Sequence, residues 1–229
     1  MVVASKYFIK RLKQTMMGVI QKGILGGFSG KVGTVVGGSW KGIDYMRSKS
    51  AKRNFMPTPA QQEQQAKFKL MVAFLHSMSG LLADSFRNYA IKMTGFNNAL
   101  SYNLKNAVVG LYPSYTVDYS MVLVSRGDLP NAIAPKVTAA AGSLINYAWV
   151  DNTGTGKAKA TDLTILVVYC ESTNQSLYVV GGAARSIGTD TLNVANFKGK
   201  LVETYLGFIS ADGREVASSM YTGQVTVLV

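Results

Sequence analysis

The side chains that could support catalysis are few in this sequence. Histidine is the commonest general base, and the single histidine, His76, lies among apolar residues near the end of a predicted helix. The single cysteine, Cys170, ends an apolar run, which favours a small buried side chain. With one histidine and one cysteine, the chain offers no nucleophile–base pair, no paired-cysteine metal site and no intrachain disulfide. We therefore expect no enzyme, no metal, no cofactor and no small-molecule substrate.

The carboxylates show no catalytic pattern either. The first 110 residues contain only Asp44, Glu63 and Asp84, and no two of these are spaced to share one face of a helix. Several in the second half fall at turn-like positions or strand ends, where turn chemistry explains them: Asp151, Asp162, Asp212 and Glu215.

Residues 154–161 are similar to a phosphate-binding loop, but the match fails in detail. Lys157 precedes an alanine where such loops have serine or threonine. The run also joins two predicted strands, so that no helix N-terminus would face a phosphate. We expect no nucleotide site there.

Basic residues interleaved with aromatic ones, between residues 31 and 69, are the candidate binding feature. Lysine and arginine contact phosphates, and exposed aromatic rings such as Trp40 and Tyr45 can stack on bases. In the opposite interpretation, Trp40 and Tyr45 pack inward while the charges face water. No sequence motif of a known nucleic-acid-binding module is present. The candidate polyanion-binding residues are Lys31, Lys41, Arg47, Lys49, Lys52, Arg53, Lys67 and Lys69.

The charge of the chain is unevenly distributed. Residues 1–110 contain 16 Lys and Arg against 3 Asp and Glu, whereas residues 111–229 contain 8 against 9. A positive excess confined to one half creates a field that attracts polyanions and acidic surfaces. The basic half is therefore the expected location of any partner, with a merely solvated basic face as the alternative.

The glycine-rich block over residues 18–48 alternates glycine with strand-forming residues. Two short runs on either side of Gly37-Gly38 predict a β-hairpin. A lone hairpin is marginally stable in water, so it needs the helices, another sheet or another subunit to pack against. The residues expected to pair with another copy or another chain are Val32, Thr34, Val36, Trp40, Ile43 and Tyr45.

Three short amphipathic helices are predicted to follow. Thr58 is a good N-cap, Pro59 suits the first helical position, and Gln61 completes a capping box for a helix that ends at Gly80. A second helix is predicted over residues 81–93. A third starts at the N-cap Thr94 and runs to residue 109, with Gly110 as its C-cap.

From Pro135 onward the pattern is that of β-strands. Trp149 and Tyr205 are expected in the core, and a β-run over residues 121–124 precedes a turn and linker at Arg126-Gly127-Asp128. That triplet matches an integrin-binding motif, but three residues coincide often by chance. Seven short strands separated by turns predict a β-sandwich: Lys136–Ala140, Leu144–Val150, Leu163–Cys170, Ser176–Val180, Thr191–Val194, Leu201–Ile209 and Tyr221–Val229.

The predicted fold class is α+β. An N-terminal glycine-rich β-hairpin with about three short helices precedes a C-terminal seven-stranded immunoglobulin/fibronectin-like β-sandwich. The predicted divisions are a basic N-terminal extension (residues 1–16), a basic hairpin plus helical region (17–127) and the sandwich (128–229). No segment has the roughly 20 apolar residues of a membrane span, and no signal-peptide core is evident. We expect a cytoplasmic or virion-associated protein.

Three motifs carry a family resemblance. They are the stretch from Gly23 to Ser48 (GILGGFSGKVGTVVGGSWKGIDYMRS), the residues Pro57-Thr58 with Ala60-Gln61, and Ala183-Ala-Arg-Ser186. Together they resemble an uncharacterised domain-of-unknown-function family common in Bacteroides-type bacteria, from about Met17 to the C-terminus. The resemblance implies no activity and no site residues. The glycine-rich basic segment before a glutamine-rich helix start also resembles segments of phage-derived structural proteins.

Two functions are consistent with these observations. The first is a non-catalytic structural or assembly protein, virion- or mobile-element-associated, that self-associates or pairs with another protein chain through the glycine-rich hairpin. The alternative is a nucleic-acid (polyanion) binding protein that uses the basic half.

Overall fold

The computed structural model describes residues 19–20, 27–40, 42–51 and 56–228. The chain divides into two compact units, residues 1–56 and residues 57–229. The predicted extension over residues 1–16 lies outside the described residues. None of the helices within the described ranges is long and apolar enough to cross a membrane.

The first unit contains a four-stranded antiparallel sheet. Its strands are β1 (Val19–Ile20), β2 (Phe28–Val32), β3 (Val35–Trp40) and β4 (Ile43–Ser48), and they pair in chain order. The structure therefore shows a larger sheet than the predicted hairpin.

The predicted turn at Gly37-Gly38 is wrong, because both glycines lie inside β3. The chain reverses instead at Gly33, whose φ is +58°, and near Gly42, whose φ is +80°. Glycine adopts such positive φ values without the steric cost that a side chain imposes. Strand-forming residues lie close to all of these glycines, so composition alone did not distinguish a turn glycine from a strand glycine.

The second unit begins with helix α1 (Pro59–His76), and its predicted N-terminus is confirmed. The backbone N–H of Gln61 donates to Thr58 Oγ1 at 3.4 Å, and the Gln61 side chain accepts from the Thr58 N–H at 3.1 Å. The helix ends at His76 and not at Gly80. Gly80 instead lies against Tyr178, where an added Cβ would come 2.7 Å from the phenol oxygen.

The second and third helices are shorter than predicted. Helix α2 covers Ser79–Ser85 and gives way to a single 3-10 turn, and helix α3 covers Gly95–Asn106 with Thr94 as its N-cap. Gly110 is not a C-cap. It lies in strand β5 (Val108–Leu111), which pairs with β6 (Ser114–Val117).

The predicted β-run over residues 121–124 is not a strand. The Asn103 side chain of α3 accepts from the N–H of Leu123 at 2.9 Å and donates to its carbonyl at 3.0 Å. Ser85 of α2 donates to the carbonyl of Val124 at 2.8 Å, and Ser219 accepts from its N–H at 2.9 Å. Side chains thus satisfy the backbone groups that a neighbouring strand would otherwise satisfy.

The rest of the chain forms the predicted β-sandwich. One sheet has the order β11-β8-β7, the other has the order β10-β9-β12-β13, and all pairings are antiparallel. Trp149 and Tyr147 pack between the sheets against Phe208 and Leu166. The strands are β7 (Ile133–Ala140), β8 (Leu144–Val150), β9 (Leu163–Cys170), β10 (Gln175–Ala184), β11 (Thr189–Asn193), β12 (Leu201–Ile209) and β13 (Met220–Thr226).

The predicted domain boundary between residues 127 and 128 is wrong. Phe74 and Leu75 of α1 share a buried cluster with Val167 of β9 and Tyr205 of β12. The helices therefore cover the outer face of the sandwich sheet β10-β9-β12-β13, and the sandwich is not self-contained. The apolar run of β9 from Ile165 to Cys170 has this cause, because a strand that is buried on both faces does not alternate with polar residues.

Candidate nucleic-acid interface

One face of the N-terminal sheet brings together half of the residues predicted to bind a polyanion or another chain. In an antiparallel sheet, residues directly opposite each other point to the same side, and successive residues alternate. Lys31 pairs with Val36, which pairs with Arg47. Further along, Gly38 pairs with Tyr45 and Trp40 with Ile43. We call this side the cationic face: Lys31, Val36, Gly38, Trp40, Ile43, Tyr45, Arg47 and Lys49.

The cations of this face lie together at one end. Lys31 and Arg47 flank Val36, about 10 Å apart at the spacing of three adjacent strands. The N–H of Lys49 donates to the carbonyl of Thr34 at 2.7 Å, which continues the ladder past the end of β4. The nearby ammonium of Lys49 disfavours the protonated form of Lys31 and so lowers the pKa of Lys31. Two ammonium groups are therefore held close to each other.

The described part of the sheet offers these cations no carboxylate on their own face. Its acidic residue, Asp44, pairs with Ser39 and so points to the opposite side. Asp44 lies against Gly27, where an added Cβ would come 2.6 Å from its carboxylate oxygen. The positive charge of the cationic face is thus uncompensated within the described sheet.

Two aromatic side chains continue the cationic face away from the lysines. Trp40 is 54% exposed and Tyr45 is 47% exposed. The outer part of the Tyr45 ring lies over Gly38, since a Cβ on Gly38 would be 2.9 Å from the hydroxyl oxygen and 3.0 Å from Cζ. The absence of a side chain at Gly38 is what allows the hydroxyl end of the ring to come this close to the sheet.

On the opposite side of the sheet, an aromatic ring also lies over a glycine. The Phe28 ring lies over Gly37, where an added Cβ would be 2.7 Å from two ring carbons. Val32 points to that side and not to the cationic face, and Thr34 lies in the turn after β2. These two predicted assembly residues are therefore not grouped with the others.

The other predicted polyanion-binding residues lie either in the second unit or outside the described residues. Lys67 and Lys69 lie on α1 of the second unit, where the Lys67 ammonium is 4.9 Å from the centre of the Tyr115 ring. Lys41, Lys52 and Arg53 lie outside the described residues. The residues that the sheet does bring together are Lys31, Val36, Trp40, Ile43, Tyr45, Arg47 and Lys49.

Sequence reasoning missed Gly38 as a functional candidate. A glycine pair inside a strand-forming run was interpreted as a turn, although glycines in strands also mark a close approach by a neighbouring group. The signal that could have found it is an aromatic residue at the cross-strand position, because aromatic rings often cover glycines in antiparallel sheets.

The side chains considered for catalysis are dispersed in the structure. His76 is exposed at the last position of α1, and Cys170 is buried with its Sγ 3.2 Å from Ser172 Oγ. Across the described ranges, no three His, Cys, Asp or Glu side chains come close enough to hold a metal ion.

The Arg126-Gly127-Asp128 triplet is fixed by the surrounding structure. The Arg126 guanidinium lies 4.5 Å from the centre of the Tyr89 ring, and the Tyr89 hydroxyl donates to Asp128 Oδ1 at 2.5 Å. An added Cβ on Gly127 would overlap the carbonyl oxygen of Val216. The triplet therefore joins the 3-10 turn after α2 to the segment that precedes β13.

The second unit has open clefts of about 440 and 450 Å³. The first contains the buried Glu203, whose carboxylate accepts from Tyr221 at 2.6 Å and from Gln224 at 2.7 Å. The second contains a mixture of charges that includes the exposed ion pair Lys157–Glu215 at 2.7 Å. In both clefts the charged groups named here are already paired within the protein.

Fold and site together define a two-unit protein, in which a small sheet with a cationic, aromatic face accompanies a helix-covered β-sandwich. The chain belongs to the family of unknown function DUF6266, whose sequence model matches residues 27–223. That match includes β2, β3 and β4 and nearly all of the second unit.

Among solved structures, the chain is similar to the fn3 domain of the human collagen alpha-1(XX) chain. The sequence identity is 10%, and the alignment covers 46% of this chain and 91% of that domain with a TM-score of 0.33. The comparison with curated proteins finds no match.

Proposed function

We propose that this protein is a non-catalytic binding protein and that its cationic face binds a polyanion, specifically nucleic acid. The observation that carries the proposal is the placement of Lys31, Arg47 and Lys49 beside Trp40 and Tyr45 on one side of one sheet. Phosphates suit the cations, and bases suit the rings.

The exposure of the rings supports binding over a merely solvated basic face. Trp40 and Tyr45 are both about half exposed, whereas the alternative interpretation requires them to pack inward. The paired lysines support it as well. Lys31 and Lys49 repel each other, and an anion between them would relieve that repulsion.

The direct test is the affinity for a fluorescently labelled 20-nucleotide DNA, measured by anisotropy in about 50 mM salt. The variant Lys31→Gln/Arg47→Gln/Lys49→Gln removes the three cations, and we expect it to bind at least 10-fold more weakly. The matched control, Lys105→Gln/Lys136→Gln/Lys198→Gln, removes three exposed charges from the second unit. We expect the control to bind nearly as the wild type does. Equal losses in the two variants would show a net-charge effect and would overturn the proposal.

Assembly through the edge of the N-terminal sheet is the second candidate function. Among the described residues, β4 pairs with β3 alone in the order β1-β2-β3-β4, and all six residues of β4 are exposed. Open strand edges invite pairing with another copy or another chain. Pairing edge to edge also avoids the repulsion that two apposed cationic faces would cause.

This second function is tested by light scattering over a wide concentration range. A lysine placed on an edge strand opposes strand pairing, so Met46→Lys should dissociate an assembly that β4 mediates. A wild type that stays monomeric at every concentration would contradict it.

We also propose which kind of sandwich the second unit contains and where the protein is located. The two sheet orders, β11-β8-β7 and β10-β9-β12-β13, support a sandwich of the immunoglobulin/fibronectin kind, which would act as a display or adhesion module. A virion or mobile-element role and a virion location follow from the phage resemblance, and a cytoplasmic location follows from the signal-peptide argument. All three stay predictions.

A further inference from the structure

We infer that the cationic face selects single-stranded nucleic acid, a conclusion that rests on the proposed function and specifies its ligand. The inference depends on the position of Tyr45, whose hydroxyl end lies over Gly38 while the residue stays 47% exposed. An exposed aromatic ring is a platform on which an unpaired base can stack.

Trp40 provides a second platform next to the first. The pair Trp40–Ile43 lies one row beyond the pair Gly38–Tyr45 on the same side of the sheet. Two residues along a strand correspond to about 7 Å, so the two rings serve neighbouring positions of one ligand. Trp40 is also the more exposed of the two rings.

The cations complete a path along the same face. The row of Lys31, Val36 and Arg47 lies one row from Tyr45 on the side away from Trp40, which is again about 7 Å. A strand laid along β3 would place its backbone near Lys31 and Arg47 and its following bases over Tyr45 and Trp40. Duplex DNA keeps its bases stacked inside the helix, so it would use the cations without the rings.

A side chain added at Gly38 would displace the Tyr45 ring and leave the cations in place. A methyl group at Gly38 would collide with the hydroxyl and Cζ of Tyr45 and lift the ring from the sheet, while every cation remains. The matched control is Val35→Ala, which removes an exposed side chain of the same strand from the opposite face.

The experiment compares four ligands of equal length: oligo(dT), the same chain with abasic sites throughout, a DNA duplex and a heparin fragment. Affinity is measured by anisotropy competition, and stacking is measured by tryptophan fluorescence. Trp40 is exposed and Trp149 is 6% exposed, with its indole nitrogen donating to the Arg185 carbonyl at 2.8 Å. Quenching on binding therefore reports on Trp40, and a Trp40→Leu variant verifies the assignment.

We expect oligo(dT) to bind about 10-fold or more tightly than the abasic chain and to quench Trp40. Gly38→Ala should remove most of this difference, and Val35→Ala should behave as the wild type does toward all four ligands. Equal affinity for the oligo(dT) and abasic chains without quenching would overturn this inference and leave polyanion binding intact. Failure of all four ligands to bind at low salt would instead overturn the proposed function.

Discussion

The guanidinium of Arg185 lies 3.2 Å, Nε to Oδ2, from the carboxylate of Asp162, and both side chains are almost completely buried in the sandwich. Arg185 also donates to Asn152 Oδ1 at 2.7 Å and to the Pro130 carbonyl at 2.9 Å, and it lies 3.9 Å from the centre of the Phe208 ring. The Ala183–Ser186 motif thus contributes an arginine that ties several loops to one end of the core, which is a structural role.

We predict that Arg185→Leu lowers the free energy of unfolding by about 3–5 kcal/mol, because it leaves the Asp162 charge buried without its partner. Urea denaturation followed by circular dichroism measures the loss. The control Arg214→Leu removes an arginine that is 84% exposed and 3.9 Å from Asp212, and it should cost less than about 1 kcal/mol. Similar losses in the two variants would contradict a structural role for the buried pair.

The shared core of helices and sandwich predicts how the chain can be divided. A fragment of residues 57–229 should fold and unfold cooperatively, because it is one of the two compact units. A fragment of residues 128–229 would expose Ile165, Val167 and Tyr205, which the helices normally cover. We expect that fragment to aggregate or to bind a hydrophobic dye. A well-folded, monomeric 128–229 fragment would restore the boundary that the sequence suggested.

Gly127 lies so close to the Val216 backbone that we predict a large loss of stability when a methyl group is added at Gly127. Gly127→Ala places a methyl group against the carbonyl of Val216, so we expect a loss of at least about 2 kcal/mol in thermal or urea unfolding. Gly213→Asn is the comparison, since Gly213 has open space and a φ of +69° that asparagine tolerates. It should cost less than about 1 kcal/mol. A tolerated Gly127→Ala would show that the segment can move aside.

The pKa of Lys31 predicts a pH dependence of nucleic-acid binding. Lys49 holds the pKa of Lys31 below its ordinary value of 10.5, and a bound phosphate would raise it again. Between the lowered pKa and 10.5, binding should therefore take up protons, and affinity should fall as pH rises. In the same window the unfolded chain binds more protons than the folded one, so stability should rise slightly with pH.

Calorimetry in two buffers of different ionisation enthalpy, at a pH within this window, measures the proton uptake. Lys49→Gln removes the neighbouring charge and should reduce the uptake. An uptake that is the same in wild type and Lys49→Gln would show that the lysine pair does not contact the ligand.

Local signals in the sequence predicted much of the fold. The capping box at Thr58 and Gln61 fixed the start of α1, and the apolar runs fixed both bounds of β8, β9 and β12. Non-local contacts decided the rest. The segment over residues 121–124 is held by the Asn103 and Ser219 side chains, which no local pattern indicates.

The composition of the site was predictable, but its arrangement was not. Lys31, Arg47, Trp40 and Tyr45 were candidates on residue type alone. Their common face depends on strand register, which the turns at Gly33 and Gly42 set, and a turn at Gly37-Gly38 would have paired different residues. The same register placed Val32 on the other side.

The salt dependence of single-stranded DNA binding tests the central claim most directly. Each phosphate neutralised contributes about 0.7 to the negative slope of the logarithm of the association constant against the logarithm of salt concentration. Removal of Lys31, Arg47 and Lys49 together should therefore reduce the magnitude of the slope by about 2, while removal of Lys105, Lys136 and Lys198 should leave it unchanged. An unaltered slope in the first variant would contradict phosphate binding by the cationic face.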